Sequence, residues 1–247
     1  MTDTITIPAA VAIDTPAHPA ARFAGWLRSG WQLFRRAPSR LFGLMLLLLA
    51  IEMQIQTAIP FVGITLSKIA AGLFGGLFWL PLYRLHIGGR LRLRQTLSAV
   101  TGSWAALAGL AVVQLLVFLV QVAAGRLLLG PGALDLLIFA RATSDLPPGE
   151  FQIGLILAAG VPLSTIMMFS APLILIDRYS LGPALLTSIR LCLRNAAPMV
   201  LVAMMMMLVF FISPSAYLLP TLLLGPWLLC VGLAAYIDLR RQASHKA

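Results

Sequence analysis

Residues 41–58 read LFGLMLLLLAIEMQIQTA, with Arg40 before them and Pro60 just after. The run contains one carboxylate, Glu52, and no basic residue. A helix rises 1.5 Å per residue, so about 20 mostly apolar residues cross the ~30 Å hydrocarbon core of a bilayer. The stretch therefore reads as a transmembrane helix. Its solvent is lipid, and the rest of the chain has to be read in the same solvent.

Five further runs fit the same description: roughly Phe61–Tyr83, Thr101–Ala124, Ile153–Ile176, Ala197–Tyr217 and Thr221–Ile237. Pro214 and Pro220 mark the turn of the last hairpin. Across all 247 residues, 60% are apolar and 11% charged, where soluble domains carry about 25% charged residues. A chain this apolar would expose large hydrophobic patches in water and aggregate. The expected fold is an all-α integral membrane protein with six transmembrane helices in three hairpins. Residues 22–240 form its single domain, with a disordered cytoplasmic tail at 1–21 and a second cytoplasmic tail at 241–247. The first segment carries Pro8, Pro16 and Pro19 and begins without a basic residue, so it lacks the basic start and apolar centre of a secretory signal.

The charges test the span count independently. Arg22, Arg28, Arg35, Arg36 and Arg40 precede the first span, and Arg84, Arg90, Arg92 and Arg94 follow the second. Arg178, Arg190 and Arg194 lie between the fourth and fifth, and Arg240, Arg241 and Lys246 follow the sixth. With six spans these fifteen residues share one side, and only Arg126 and Arg141 take the other. By the positive-inside rule the fifteen are cytoplasmic, as are both termini. The formal net charge of +10 is then a set of topology signals and contacts for anionic lipid, and not a nucleic-acid face.

Two basic stretches read as amphipathic interfacial helices. In 22–38, Phe23, Trp26, Leu27, Trp31 and Phe34 share one helical face and Arg22, Arg28, Arg35 and Arg36 the other. In 183–195, Leu185, Leu186, Ile189, Cys192 and Leu193 oppose Arg190 and Arg194. Such helices lie in the head-group plane with aromatic residues down and arginines toward anionic lipid. Trp26, Arg28, Trp31, Arg35, Arg36, Arg190 and Arg194 are the lipid-binding candidates. Arg90–Ala99 is a shorter, third example before span three. The pattern suggests a threefold repeat of basic helix plus hairpin, with Arg35, Arg36, Ala37, Pro38 echoed by Arg194, Asn195, Ala196, Ala197, Pro198.

From Ala171 the order is Ala171, Pro172, a short link, then Ser188, Arg190, Cys192, Arg194, Asn195 and Pro198, an apolar hairpin, and Tyr236 and Asp238 at its exit. This order resembles an uncharacterised family of multi-pass inner-membrane proteins of proteobacteria, a domain of unknown function. The entry segment Gly30, Trp31, Phe34, Arg35, Arg36, Pro38 is similar to that family too. The resemblance implies a bacterial inner membrane and a six-helix bundle, and it transfers no activity.

Catalytic chemistry leaves little trace. His18, His86 and His245 lie in the tail, a loop and near the end, so no span pairs a histidine base with a carboxylate. No metal-ligand spacing occurs, and Cys192 and Cys230 stand in unlike settings without a CxxC. No cofactor, metal or catalytic residue is expected. Met204–Met207 are consecutive, and at 100° per residue they point around the helix and cannot converge on one ion.

Inside the spans, Glu52 and Lys68 each lie eight residues from Pro60. If Pro60 marks the turn, both sit about 12 Å below it, where a pairing would reduce the cost of burial. The alternative is a second span that starts near Ile69 and leaves Lys68 among the head groups. Gln56 shares a face with Glu52, and Gln114 and Gln121 share a face of the third span. The leading expectation is a non-enzymatic membrane organiser or accessory subunit that binds lipid, chiefly anionic, or a protein partner in the membrane. The alternative is a small transporter or channel using Glu52, Gln56, Lys68, Gln114 and Gln121 in one cavity. A membrane-embedded enzyme is the third.

Overall fold

The computed structural model describes residues 18–89, 100–139, 141 and 148–245. The tail before residue 18, the third interfacial stretch at 90–99 and residues 142–147 lie outside the described residues. The chain begins with α1 (Pro19–Phe34), then α2 (Pro38–Ala58), α3 (Gly63–Leu77) and α4 (Trp79–His86). A short 3-10 turn at Thr101–Ser103 leads into α5 (Trp104–Val113) and α6 (Leu115–Leu129), followed by the short α7 (Ala133–Phe139). Next come α8 (Glu150–Ala159), α9 (Val161–Met167), α10 (Ser170–Leu175) and α11 (Leu181–Arg194). The last hairpin is α12 (Ala196–Ile212) and α13 (Leu219–His245). Every regular element among the described residues is helical, as a lipid solvent requires of a chain whose backbone groups must be satisfied internally.

Five helical segments are long and apolar enough to cross a membrane: 38–58, 63–86, 101–129, 150–175 and 219–243. A sixth candidate is the bent pair of α11 and α12, to which α12 contributes 17 residues, at the lower end of the spanning range. The interruption in the fourth span occurs where the sequence weakens the helix. α8 ends at Gly160 with Pro162 two residues on, and a proline withdraws a ladder N–H. The predicted boundaries agree with these segments to within a few residues.

The contacts sort the basic residues onto one end of the bundle. Arg36 Nη1 donates to the carbonyls of Leu85 and His86 (3.2 and 3.3 Å), where the C-terminus of α4 carries the partial negative charge that favours a cation. Arg178 reaches Ser103 Oγ at 3.1 Å, and Arg22 reaches Asn195 and Asp238. The opposite end holds Arg141, stacked over the Phe61 ring at 4.5 Å. Packing is also uneven. Trp79, Leu82, Phe169, Leu173, Tyr236 and Leu239 are buried near the basic end, whereas Phe61, Phe151 and Tyr217 at the other end are exposed.

α1 departs from the expected seating. Its apolar face meets protein, chiefly α13, in an antiparallel register: Gly30 lies against Val231, and Arg22 reaches Asp238. Trp26 is only 4% exposed, and Leu33 and Phe34 are buried with it. Trp26 is therefore not available to lipid, contrary to the sequence expectation, because an amphipathic pattern reports an apolar neighbour without distinguishing lipid from protein. Trp31 stays outside at 49% exposure. α11 follows expectation more closely. It turns into α12 through 100°, so it runs across the direction of that span.

Candidate functional site

The basic end of the bundle is built around two carboxylates. Asp238, near the end of α13, accepts from Arg22 Nε at 2.7 Å and from the Trp26 indole at 2.8 Å. Arg22 also donates from Nη1 to Asn195 Oδ1 at 2.8 Å and lies 5.4 Å from the Trp26 ring centre. Asp238 thus ties the first helix to the last, and Asn195 ties both to the corner between α11 and α12. The second carboxylate, Asp177, follows α10 and accepts from the Tyr236 hydroxyl and pairs with Arg240. Both ionised groups are mostly withdrawn from solvent, and pairing offsets the desolvation that burial imposes.

Around this framework stand arginines with free heads. Arg28, Arg35, Arg40, Arg190 and Arg194 are exposed. Arg36 is exposed too, although its guanidinium also caps α4. Of the lipid candidates, Arg28, Trp31, Arg35, Arg36, Arg190 and Arg194 reach the surface, and Trp26 does not.

α11 is anchored from beneath. Ser188 is fully buried. Its hydroxyl donates to the Ile166 carbonyl at 2.7 Å and accepts the Phe169 N–H at 3.2 Å. The Cys192 thiol adds contacts to the Thr165 and Ile166 carbonyls at 3.4 and 3.6 Å. At the break between α9 and α10, Ser188 of α11 supplies partners to the Ile166 carbonyl and the Phe169 N–H, groups that a span must satisfy internally.

The intramembrane polar residues divide into separate pairs. Lys68 Nζ lies 3.4 Å from Glu52 Oε1, with side chains 34% and 17% exposed. Helix α3 already starts at Gly63, so Lys68 sits inside the span and not before it. Gln56 donates to Ser67 Oγ at 2.9 Å and lines a cavity of about 170 Å³ with Phe61, Ile138 and Arg141. Gln121 donates instead to the Leu157 carbonyl at 3.1 Å, near the break at Gly160. Gln114 packs beside Gly72. The five polar candidates thus form local contacts of α2 with α3, α5 with α3, and α6 with α8, and they do not converge.

Among the described residues, no group of three His, Cys, Asp or Glu side chains is placed to hold a metal ion. Cys192 and Cys230 are both free and buried. Met204 faces outward while Met205 and Met206 pack against the core.

The chain matches no protein-family model, no curated protein and no solved structure.

Proposed function

We propose that this multi-pass membrane protein is a non-enzymatic organiser or accessory subunit whose basic end engages anionic lipid or a partner protein at the inner face of a bacterial plasma membrane. One observation carries the reading: exposed arginines gather at the end of the bundle where the network around Asp177 and Asp238 ties the helices together. Arg28, Arg35, Arg190 and Arg194 stand free of that network, while the polar groups within the spans are paired locally. Each arginine near an anionic surface adds about 1 kcal/mol of attraction. The charge segregation supports placing this end, with both termini, in the cytoplasm. Membership of the proteobacterial family that the Ser188–Pro198 segment resembles belongs to the same proposal.

Lipid carried through mild purification tests the reading. Head-group analysis should find anionic lipid enriched over its share in the membrane of origin. The enrichment should fall when Arg28, Arg35, Arg190 and Arg194 are replaced together by Gln. A bound lipid pool of bulk composition in the parent protein would contradict it.

A second reading rests on the Glu52–Lys68 contact and the Gln56 cavity beyond it. Glu52 and Lys68 place ionisable groups within the spans, and Gln56 lines the cavity nearer the end opposite the termini, as a small transporter would use. Solute uptake that depends on both charges would favour it over the organiser.

A further inference from the structure

The geometry points to a phosphate-binding site at the corner where α11 turns into α12. A cavity of about 220 Å³ there is lined by Pro19, Arg22, Arg194, Asn195, Ala197 and Pro198. It is smaller than the roughly 300–1,000 Å³ pockets that enclose drug-sized ligands, and suits a compact polar group. Two guanidinium groups border it. Arg22 is held in place through Nε by Asp238 and through Nη1 by Asn195, which leaves Nη2 buried without an acceptor. A donor left without an acceptor favours a ligand that brings one. Arg194 is exposed, and no carboxylate among the described residues pairs with it.

Charge selects the ligand. Asp238 neutralises one of the two arginines, so the cavity keeps a positive balance from Arg194. Guanidinium groups match the geometry of phosphate oxygens. On the lipid reading, the 100° turn between α11 and α12 places this corner where a surface helix enters the bilayer. A lipid head group and free phosphate share this chemistry. The site deepens the lipid-binding reading above, and rests on it only for the choice of the lipid as source.

The full-length protein in detergent, titrated with short-chain phosphatidylglycerol, phosphatidylcholine or inorganic phosphate, tests the site through the apparent Kd from the rise in melting temperature. Phosphatidylglycerol should stabilise the parent protein. Arg194→Gln should weaken that binding about fivefold, Arg194→Lys should restore most of it, and Arg126→Gln, at the opposite end of the bundle, should change it less than about twofold. Inorganic phosphate acting with the same Arg194 dependence would keep the site and identify free phosphate as its source. Equal losses in Arg194→Gln and Arg126→Gln, or none in either, would overturn the site. A parent protein preferring phosphatidylglycerol to phosphatidylcholine would then still support the diffuse lipid surface. A parent protein indifferent between the two lipids would overturn the lipid reading, and inorganic phosphate alone would decide the site.

Discussion

Arg22 and Asp238, 216 residues apart in the chain, meet at 2.7 Å and join the first helix to the last. The carboxylate serves Trp26 as well, so its loss strands two donors. Asp238→Asn is expected to destabilise the protein in detergent by about 2 kcal/mol, less than the ~3–5 of a fully buried pair because both groups keep some solvent. Trypsin should also cut faster after Arg28, which is exposed on α1. An unchanged cleavage rate and melting temperature would show that the contact does not hold α1 in place.

Two glycines of α1 give an internal comparison. A Cβ on Gly30 would stand 2.8 Å from the Val231 Cα, while one on Gly25 would meet nothing within 4 Å. Gly30→Ala should cost about 1–3 kcal/mol through overpacking. Gly25→Ala should be neutral or gain about 0.5–1 kcal/mol from helix propensity. Thermal melting of both variants checks the order, and a harmless Gly30→Ala would remove the close approach of α1 and α13.

Ser188 supports the break in the fourth span. Ser188→Ala would leave the buried Phe169 N–H without its acceptor, at a cost of about 1–3 kcal/mol. Hydrogen exchange at Phe169 should accelerate, and unchanged protection there would mean that the amide has another partner.

The Glu52–Lys68 contact predicts coupling. Glu52→Gln and Lys68→Met should each lose about 1–2 kcal/mol, since the pair is only partly buried, and the double variant should lose less than the sum. Additive losses in detergent melting would mean that the two groups do not interact.

How far the sequence foretold this arrangement depends on the range of the interaction. The spans were legible because apolar length is a local property, and Lys68 met Glu52 because equal spacing from Pro60 sets equal depth. Asp177 and Asp238 were missed as anchors, although a signal existed. Outside the N-terminal tail they are the only carboxylates in the basic segments, against fifteen cations. An acid so outnumbered is a natural partner for one of them, but which one is a matter of tertiary packing. Trp26 was misread for a related reason: its helical face was right, and the neighbour it meets is set by α13, more than two hundred residues later in the chain. Gln114 and Gln121 share a face in sequence, yet the bundle gives that face two different neighbours, α3 and α8.

The central claim is a six-span bundle with its basic end in the cytoplasm, and single-cysteine labelling tests it most directly. Ser215, at the turn of the last hairpin, and Ser180, before α11, are both exposed, and each differs from cysteine by one atom. The native Cys192 and Cys230 are buried and should stay silent. A membrane-impermeant maleimide on intact spheroplasts should label Ser215→Cys at once, and Ser180→Cys only after the membrane is opened. Labelling of Ser180→Cys alone would reverse the orientation, and equal labelling of both in intact spheroplasts would contradict the arrangement of spans itself.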